Sequence, residues 1–445
     1  MELAGLIPTF GNVAFTLIAF IVALSIIVAV HEYGHYIVGR WTGIKADVFS
    51  IGFGPVLASK VDKHGTRWQI AALPFGGYVK FRGDADAASG KDVDAMAALA
   101  PQDRRETMHG APLWARTATV AAGPVFNFIL SLIVFAALMM VRGVASDPLT
   151  VEDIRNVPGG PGGLTSGDVV LAIDGETLPP TTEFAGFAEA LEPNARPVYT
   201  VRRDGDVAEV EGPWLYPPIA TGIVPGSAAE EAGLQKGDVI TAVEGAQIFD
   251  FSQLQAAIRG SDGAEVRLDV WRDGETLAKT MTPRRQDMPL PDGGFETHFM
   301  IGMNGGMVIE PATETPGLGQ AVTGAANQVV FIIRSSISGL YHMIAGQIST
   351  CNLSGPVGIA ETSGQAASQG WLSFIWFIAV LSTAVGLLNL FPIPVLDGGH
   401  LVFYAWEAVT GRPPSDAALR YLMAGGLTLM LALMAFAVTN DLFCP

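Results

Sequence analysis

The residues best suited to chemistry stand in the run His-Glu-Tyr-Gly-His, which begins at His31. His31 and His35 are four residues apart, so on a helix both imidazoles lie on one face and can bind one zinc ion. Glu32 is placed to act as a general base towards a water molecule at the metal. Ionisable side chains at the end of an apolar helix are costly, which favours a functional role. The run therefore predicts a hydrolytic zinc site.

Four segments without Lys, Arg, Asp or Glu are long enough to cross a bilayer, which takes about 20 mostly apolar residues. They are residues 13–30, 118–141, 371–396 and 421–440. Only 16% of all residues are charged, against about 25% in typical soluble proteins. The sequence therefore predicts a polytopic α-helical membrane protein with four transmembrane helices.

Basic residues predict the orientation, because cytoplasmic loops are enriched in Lys and Arg. Residues 1–39 contain neither, whereas residues 36–116 contain eleven. Arg412 and Arg420 stand between the third and fourth apolar segments. We expect the first loop and this link to be cytoplasmic, and both termini and the central loop 143–370 to lie outside.

Asp397 is the best candidate for the third ligand that a hydrolytic zinc site requires. The first and third apolar segments run in the same direction, so their carboxyl-terminal ends reach the same depth. Asp397 directly follows the third segment and is expected level with His31 and His35. Its alternative role is that of a carboxylate at the membrane interface. His400 is a rival ligand, but it follows two glycines and is expected outside the helix.

The end of the third segment predicts a site for an unwound substrate. Pro392 and Pro394 lack a backbone donor and break the helical hydrogen-bond ladder, which frees backbone groups at membrane depth. Asn389 either bonds an extended substrate or the oxyanion, or makes a polar contact between helices.

The first cytoplasmic loop is apolar and rich in glycine over residues 48–55 and 68–81. We expect a re-entrant β-hairpin that approaches the metal site and pairs with an extended substrate. The alternative is an ordinary cytoplasmic hairpin. The glycines expected to contact substrate are Gly52, Gly54, Gly76 and Gly77.

The central loop contains an internal repeat. Residues 163–175 match 233–245, and Arg-Asp-Gly recurs at 203 and 272. The spacing near 70 residues indicates two tandem domains, each with a strand, a Gly-Asp turn, a second strand, a helix and a closing hairpin. The second copy resembles a PDZ domain. The first copy is three residues shorter at the position where the second copy has residues 227–232. A helix at that position of the first copy is therefore in question. A steric filter and a peptide binder are equally good interpretations.

The central loop also carries the acidity of the chain. It holds 12 basic and 29 acidic residues, a balance of 12 − 29 = −17 that equals the net charge of the whole chain. This charge excludes nucleic acid as an expected partner. Cys351 and Cys444 are both predicted outside, where we hypothesise a disulfide between them.

Residues 123–127, Gly-Pro-Val-Phe-Asn, begin the second apolar segment. The Gly-Pro pair predicts close helix packing beside the metal site. Asn127 is either a structural contact or a group that supports the site, and we favour the structural role.

Taken together, the His31 run, the segment 123–127, the tandem repeat and residues 389–399 closely resemble the site-2 protease family. Residues 50–54 and 74–78 match that family too, so the resemblance covers nearly the whole chain. It implies a zinc endopeptidase of the bacterial inner membrane that cuts single-span proteins inside the bilayer, near the cytoplasmic side.

The resemblance also implies partners and residue roles. Membrane lipid surrounds the enzyme, and its substrates are anti-sigma factors already trimmed by an upstream site-1 protease, and remnant signal peptides. The implied zinc ligands are His31, His35 and Asp397, with Glu32 as the catalytic residue. The residues implied near the substrate are Asn389, Pro392 and Pro394.

The expected fold is four transmembrane helices and a re-entrant β-hairpin, with two tandem α+β PDZ domains outside. The expected divisions are 1–40 first span, 41–114 cytoplasmic loop, 115–142 second span, 143–215 first PDZ-like domain, 216–285 second PDZ domain, 286–370 linker with an amphipathic membrane-surface helix, 371–397 third span, and 398–445 cytoplasmic link with the fourth span.

The sequence is also compatible with two other classes of protein. Intramembrane His and Asp also mark ion pathways, and zinc flux abolished by Glu32→Gln would indicate a transporter. A membrane-tethered adaptor with a structural zinc would function normally with that substitution.

Overall fold

The computed structural model describes residues 6–85, 96, 99–224, 226–290 and 294–443. Cys444, and with it the hypothesised disulfide to Cys351, lies outside these residues. The chain divides into two compact units. The membrane unit comprises the described residues up to Leu138, Leu318–Ile344 and the described residues from Ser349 onward. The repeat unit comprises Met139–Gly317 and Ala345–Ile348.

The helices are α1 (Leu6–Trp41), α2 (Pro101–Arg104), α3 (Leu113–Arg142), α4 (Phe184–Ala190), α5 (Ala228–Glu231), α6 (Phe251–Gly260), α7 (Leu318–Ile344), α8 (Pro356–Ser368), α9 (Trp371–Asn389), α10 (Asp397–Thr410) and α11 (Asp416–Phe443). The strands are β1 (Ala46–Val61), β2 (Arg67–Phe81), β3 (Val144–Ala145), β4 (Val151–Ile154), β5 (Val169–Ile173), β6 (Glu176–Thr177), β7 (Val198–Arg203), β8 (Asp206–Glu211), β9 (Gly222–Ile223), β10 (Val239–Val243), β11 (Ala246–Gln247), β12 (Val266–Arg272), β13 (Glu275–Met281), β14 (Arg284–Pro289), β15 (Phe295–Met300), β16 (Met303–Asn304), β17 (Ile309–Pro311) and β18 (Thr313–Glu314).

Four described helices are long and apolar enough to span a membrane, as the sequence predicts. They are Val13–Trp41, Leu113–Arg142, Trp371–Asn389 and Ala417–Phe443. The first continues through both histidines and ends at Trp41, shortly before Gly43, which takes a left-handed φ of 90°. The amide of Ile44 then bonds the carbonyl of Gly39 at 2.8 Å, as in a glycine-terminated helix end.

The third spanning helix is shorter than predicted. The apolar run extends to residue 396, but α9 ends at Asn389 and α10 begins only at Asp397. Pro392 and Pro394 have no amide hydrogen to donate, so regular helical bonding cannot continue through this stretch. The intervening residues form an irregular segment, hereafter the helix break, which delivers Asp397 at the start of a new helix rather than at the end of an old one.

Helix α7 belongs to the helical core of the membrane unit. The sequence predicts an amphipathic helix on the membrane surface here. One face of α7 is apolar, as that prediction requires, but it is buried against two spanning helices. That face packs against Phe135 of α3 and Ala379 of α9. Its buried residues are Ala321, Ala325, Val329 and Ile332.

The two copies of the repeat fold into two antiparallel sheets with the same strand order. The first is β6-β5-β7-β8 and the second is β11-β10-β12-β13. Each sheet has a helix, α4 or α6, between its second and third strands in the chain. The second copy also has α5, whereas residues 155–168 of the first copy form only turns and extended chain. The three missing residues therefore remove this helix.

The recurring Arg-Asp-Gly and Gly-Asp motifs bind each other within each copy. Arg203 donates two hydrogen bonds of 2.7 Å to the Asp168 carboxylate. Arg272 donates two bonds of 2.6 and 2.7 Å to Asp238. Both carboxylates are fully buried, so each depends on its arginine for charge compensation.

The described residues of 286–314, which the sequence assigns to a linker, lie mainly in paired strands. β14 and β15 form a hairpin, β16 pairs with β9, and β17 pairs with β4. This returning segment adds a strand to each copy of the repeat. Finally β18 pairs with β3, so that Thr313 faces Ala145 and Glu314 faces Val144. The first strand and the last strand of the repeat unit, β3 and β18, thus form one antiparallel ribbon.

We predict that Arg203→Ala lowers the unfolding temperature of the full chain by several degrees at pH 7, because it leaves Asp168 buried and unpaired. Hydrogen bonding from Arg203 holds the pKa of Asp168 below its ordinary range. A depressed pKa stabilises the fold above the unfolded value of about 3.9 and loses that effect as the pH falls through the folded value. Scanning calorimetry should therefore show that the difference in unfolding temperature between wild type and Arg203→Ala becomes smaller towards pH 3.

Arg267→Ala is the matched control, since Arg267 is largely exposed and only 3.8 Å from a partly exposed Asp269. An equal loss in both variants, or a gap that does not depend on pH, would contradict the assigned role of the Arg203 pair.

Candidate metal centre

Two histidines of α1 bring their imidazoles together inside a spanning helix. The Nε2 atoms of His31 and His35 are 3.1 Å apart, and the rings meet edge to face at 84°. Both residues are 9% exposed. The four-residue spacing on one helix face produces this pair directly.

Asp397 reaches the histidine pair from the helix break. Its Oδ2 lies 3.1 Å from His31 Nε2 and 3.4 Å from His35 Nε2. Four-coordinate zinc with bonds of about 2.0–2.1 Å spaces its ligand atoms by about 3.3–3.4 Å, close to these three separations. Among the described residues, these three form the one group of His, Cys, Asp or Glu side chains able to hold a metal ion.

The chemistry of the three donors suits a divalent cation. Asp397 Oδ2 is buried and accepts no hydrogen bond from a described residue. An ionised carboxylate and two imidazole nitrogens, with a fourth position open to water or substrate, are the donor set of a hydrolytic zinc site.

Helix α3 contacts the outer nitrogen of each imidazole. His35 Nδ1 lies 2.8 Å from the carbonyl oxygen of Thr119. A carbonyl only accepts, so Nδ1 carries the proton and Nε2 keeps its lone pair for a metal. Asn127 lies 3.2 Å from His31 Nδ1 and therefore contacts the site, in addition to the packing role favoured from the sequence. The Thr119 contact has no sequence signal, because any residue offers a carbonyl.

Close approach of α1 and α3 depends on glycine. A Cβ atom on Gly34 would lie 2.6 Å from the carbonyl oxygen of Ala122 and 2.9 Å from Phe126 Cβ. A Cβ atom on Gly123 would overlap the His35 ring at Nε2 and lie 2.8 Å from His31 Cε1. The predicted close packing at the Gly-Pro pair thus makes room for the imidazoles themselves.

Glu32 lies beside the metal centre, against β2. A Cβ atom on Gly77 would be 3.4 Å from Glu32 Cγ, and the Val79 amide faces the Glu32 carboxylate. Glu32 is only partly buried. The carboxylate is thus next to the three donors without joining them, as a proton acceptor should be.

The predicted hairpin is a small sheet of four strand segments. Residues 48–51 of β1 pair on one side with 77–80 of β2 and on the other with 67–70, while 56–61 pair with 67–71. Each long strand therefore bends at its middle. The bends fall where Gly52, Gly54 and Gly76 take φ values of 91°, 85° and 135°, which favour glycine. Of the two outer segments, 56–61 and 77–81, the second lies next to Glu32.

The remaining predicted residues lie around the helix break. Asn389 donates from Nδ2 to the carbonyl of Val385 at 3.1 Å and does not join the three donors. Pro392 is exposed, and Pro394 packs against Gly426 of α11. His400 lies outside α9, as expected, in the first turn of α10, and is not part of the group of three donors.

Comparison with known proteins agrees with this geometry. The model of peptidase family M50 matches residues 19–433. A protein named putative zinc metalloprotease from Agrobacterium fabrum is 34% identical over 96% of this chain and 95% of its own. A Brucella suis protein of the same description is 35% identical over 96% and 95%. The regulator of sigma-E protease RseP of Salmonella typhimurium is 30% identical over 97% and 99%.

Spanning helices around a two-histidine, one-carboxylate centre define a membrane-embedded zinc metalloprotease. Within that class, the chain belongs to peptidase family M50, the site-2 proteases. Zinc is the cofactor of this family, and the donors described above fit it.

We predict that Gly123→Ala abolishes zinc binding and proteolysis, because the added methyl group overlaps the His35 ring. Zinc content of the purified protein, measured by mass spectrometry, should fall from one ion per chain to near zero. Gly425→Ala, in α11 with nothing within 4 Å of the added atom, should retain both. Normal zinc content in Gly123→Ala would show that the helices can separate without cost.

Proposed function

We propose that this protease cuts single-span membrane proteins within the bilayer, in regulated intramembrane proteolysis. The observation that carries this proposal is the position of the donors. His31 and His35 lie inside a helix that is long and apolar enough to span a membrane, and Asp397 follows another such helix. A peptide bond must therefore enter the helical unit to reach them.

The proposed division of labour follows the geometry of the centre. His31, His35 and Asp397 hold zinc, which when bound polarises the scissile carbonyl and makes the attacking water more acidic. Glu32 accepts the proton of that water and passes it to the leaving amine.

A substrate helix must be unwound before cleavage, and the outer β segment offers it a partner. Residues 77–81 are paired with β1 on one side only, and their start lies beside Glu32. An extended substrate can add to this edge as a further strand. In this proposal Gly76 and Gly77 admit its backbone, and Gly52 and Gly54 shape the sheet behind it. Asn389, Pro392 and Pro394 line its other side.

The proposed orientation puts the centre near the cytoplasmic face of a bacterial inner membrane, because the eleven basic residues of 36–116 favour a cytoplasmic position for this loop. Both termini and the repeat unit then lie outside. The two copies of the repeat are proposed to be PDZ domains that exclude substrates with intact external domains. Similarity to a protein named regulator of sigma-E protease supports anti-sigma factors as substrates. We further propose that a site-1 protease trims them first and that remnant signal peptides are also cut.

We predict that Glu32→Gln lowers cleavage of a trimmed single-span substrate by about 10²- to 10⁴-fold, the usual contribution of a general base, while zinc stays bound. Appearance of the cleaved fragment in detergent, followed by gel, measures the rate. Glu361→Gln changes an exposed glutamate of α8 in the same way and should cut at the wild-type rate. Equal rates in wild type and Glu32→Gln would contradict the proposed chemistry.

The ribbon of β3 and β18 allows a clean test of the filter. Replacing residues 146–312 by Asn-Gly closes the ribbon with a two-residue turn, since Ala145 already faces Thr313. We predict that this variant cuts a trimmed substrate at the wild-type rate and also cuts the untrimmed one, which wild type resists.

Adding Glu32→Gln to the shortened chain controls for a contaminating protease. Continued resistance of the untrimmed substrate, with the trimmed one still cut, would rule out the filter and leave the proteolysis proposal intact.

A further inference from the structure

The Asn127 side chain lies beside the metal centre but is not one of its three donors. Asn127 is fully buried on α3, one helical turn after Gly123. Its Nδ2 is 3.2 Å from His31 Nδ1, while its Oδ1 is buried without a hydrogen-bond partner among the described residues. A buried amide oxygen without a partner costs free energy of about 1–3 kcal/mol.

Metal binding determines which atom of this amide must face His31. A zinc-binding imidazole uses the lone pair of Nε2, so its Nδ1 carries the proton and must donate. The amide nitrogen of Asn127 cannot accept that bond, whereas Oδ1 can. Rotation of the amide by 180° exchanges the two atoms, so that Oδ1 faces His31 and Nδ2 takes the former place of Oδ1, and it leaves the position of the side chain unchanged.

The backbone around Asn127 holds the side chain at this distance. The Asn127 carbonyl oxygen lies 3.0 Å from the Ser131 hydroxyl and 3.0 Å from the Ser382 hydroxyl of α9. A Cβ atom on Gly386 of α9 would be 3.2 Å from Asn127 Cβ. Asn127 is thus fixed between two spanning helices and has little freedom to turn away from the imidazole.

We propose that Asn127 is a positioning residue for zinc: its Oδ1 accepts the Nδ1–H bond of His31 and so sets the tautomer and the ring direction of that ligand. His35 receives the same support from a backbone carbonyl, which no substitution removes. Of the two groups that contact the histidine Nδ1 atoms, only the Asn127 side chain can therefore be removed by substitution. The inference rests on the proposed ligand role of His31.

The test is zinc affinity of the purified full chain in detergent, by competition with a chromophoric chelator. Asn127→Leu keeps the shape but cannot accept a hydrogen bond, and we expect zinc affinity to fall about 10- to 100-fold, the usual effect of losing such support. Asn127→Asp restores an acceptor, and we expect affinity within a few-fold of wild type. Ser363→Ala, which removes a buried hydroxyl that bonds the Ile359 carbonyl within α8, should match wild type.

Cobalt absorption supplies a second signature, because visible bands of Co²⁺ at this site report ligand geometry. We expect Asn127→Asp to keep the wild-type spectrum. Loss of affinity in Asn127→Asp, with folding retained by circular dichroism, would overturn the proposal, as would wild-type affinity in Asn127→Leu. Neither readout depends on cleavage, so failure of the proteolysis proposal would appear separately, as normal zinc binding without product.

Discussion

Close contact between α1 and α3 is the constraint on which the metal centre depends. Imidazole rings and a carboxylate are expensive to bury among apolar helices unless each polar atom has a partner. The partners here come from α3, so its backbone must approach α1 to within hydrogen-bond distance of the histidine rings. Gly34 and Gly123 permit that approach, since a methyl group at either position would meet the facing helix. The two glycines therefore make it possible to bury the histidines with hydrogen-bond partners.

The helix break after α9 solves the complementary problem of bringing in a negative charge. If α9 continued as a regular helix to Asp397, this residue would lie about two helical turns beyond Asn389. The break turns the chain so tightly that a Cβ atom on Gly398 would overlap the carbonyl oxygens of Leu390 and Phe391. Asp397 then starts α10, where a helix favours negative charge. One irregular segment thus delivers the carboxylate and leaves backbone groups available at the same depth.

Much of this could be predicted from the sequence, and the remainder was missed for physical reasons. Helical spacing brought His31 and His35 together, and uncharged length predicted four spanning helices. The end of α9 was placed seven residues late, because hydropathy does not register the proline effect as a boundary. The pairing of β16 with β9 and of β17 with β4 was missed because strand partners distant in sequence leave no local pattern. The Thr119 contact uses a backbone atom, which composition cannot reveal.

The ribbon of β3 and β18 has a consequence for how the chain folds. If the repeat unit were unfolded, α3 and α7 would be joined by a flexible loop of roughly 170 residues, and bringing its ends together would cost entropy. With the ribbon formed, the effective connection is roughly six residues. Loop-closure entropy grows as (3/2)RT ln n, so this shortening is worth about 3 kcal/mol towards docking α7 on α3. The folded repeat unit therefore contributes to the assembly of the helical bundle simply by holding its own two ends together.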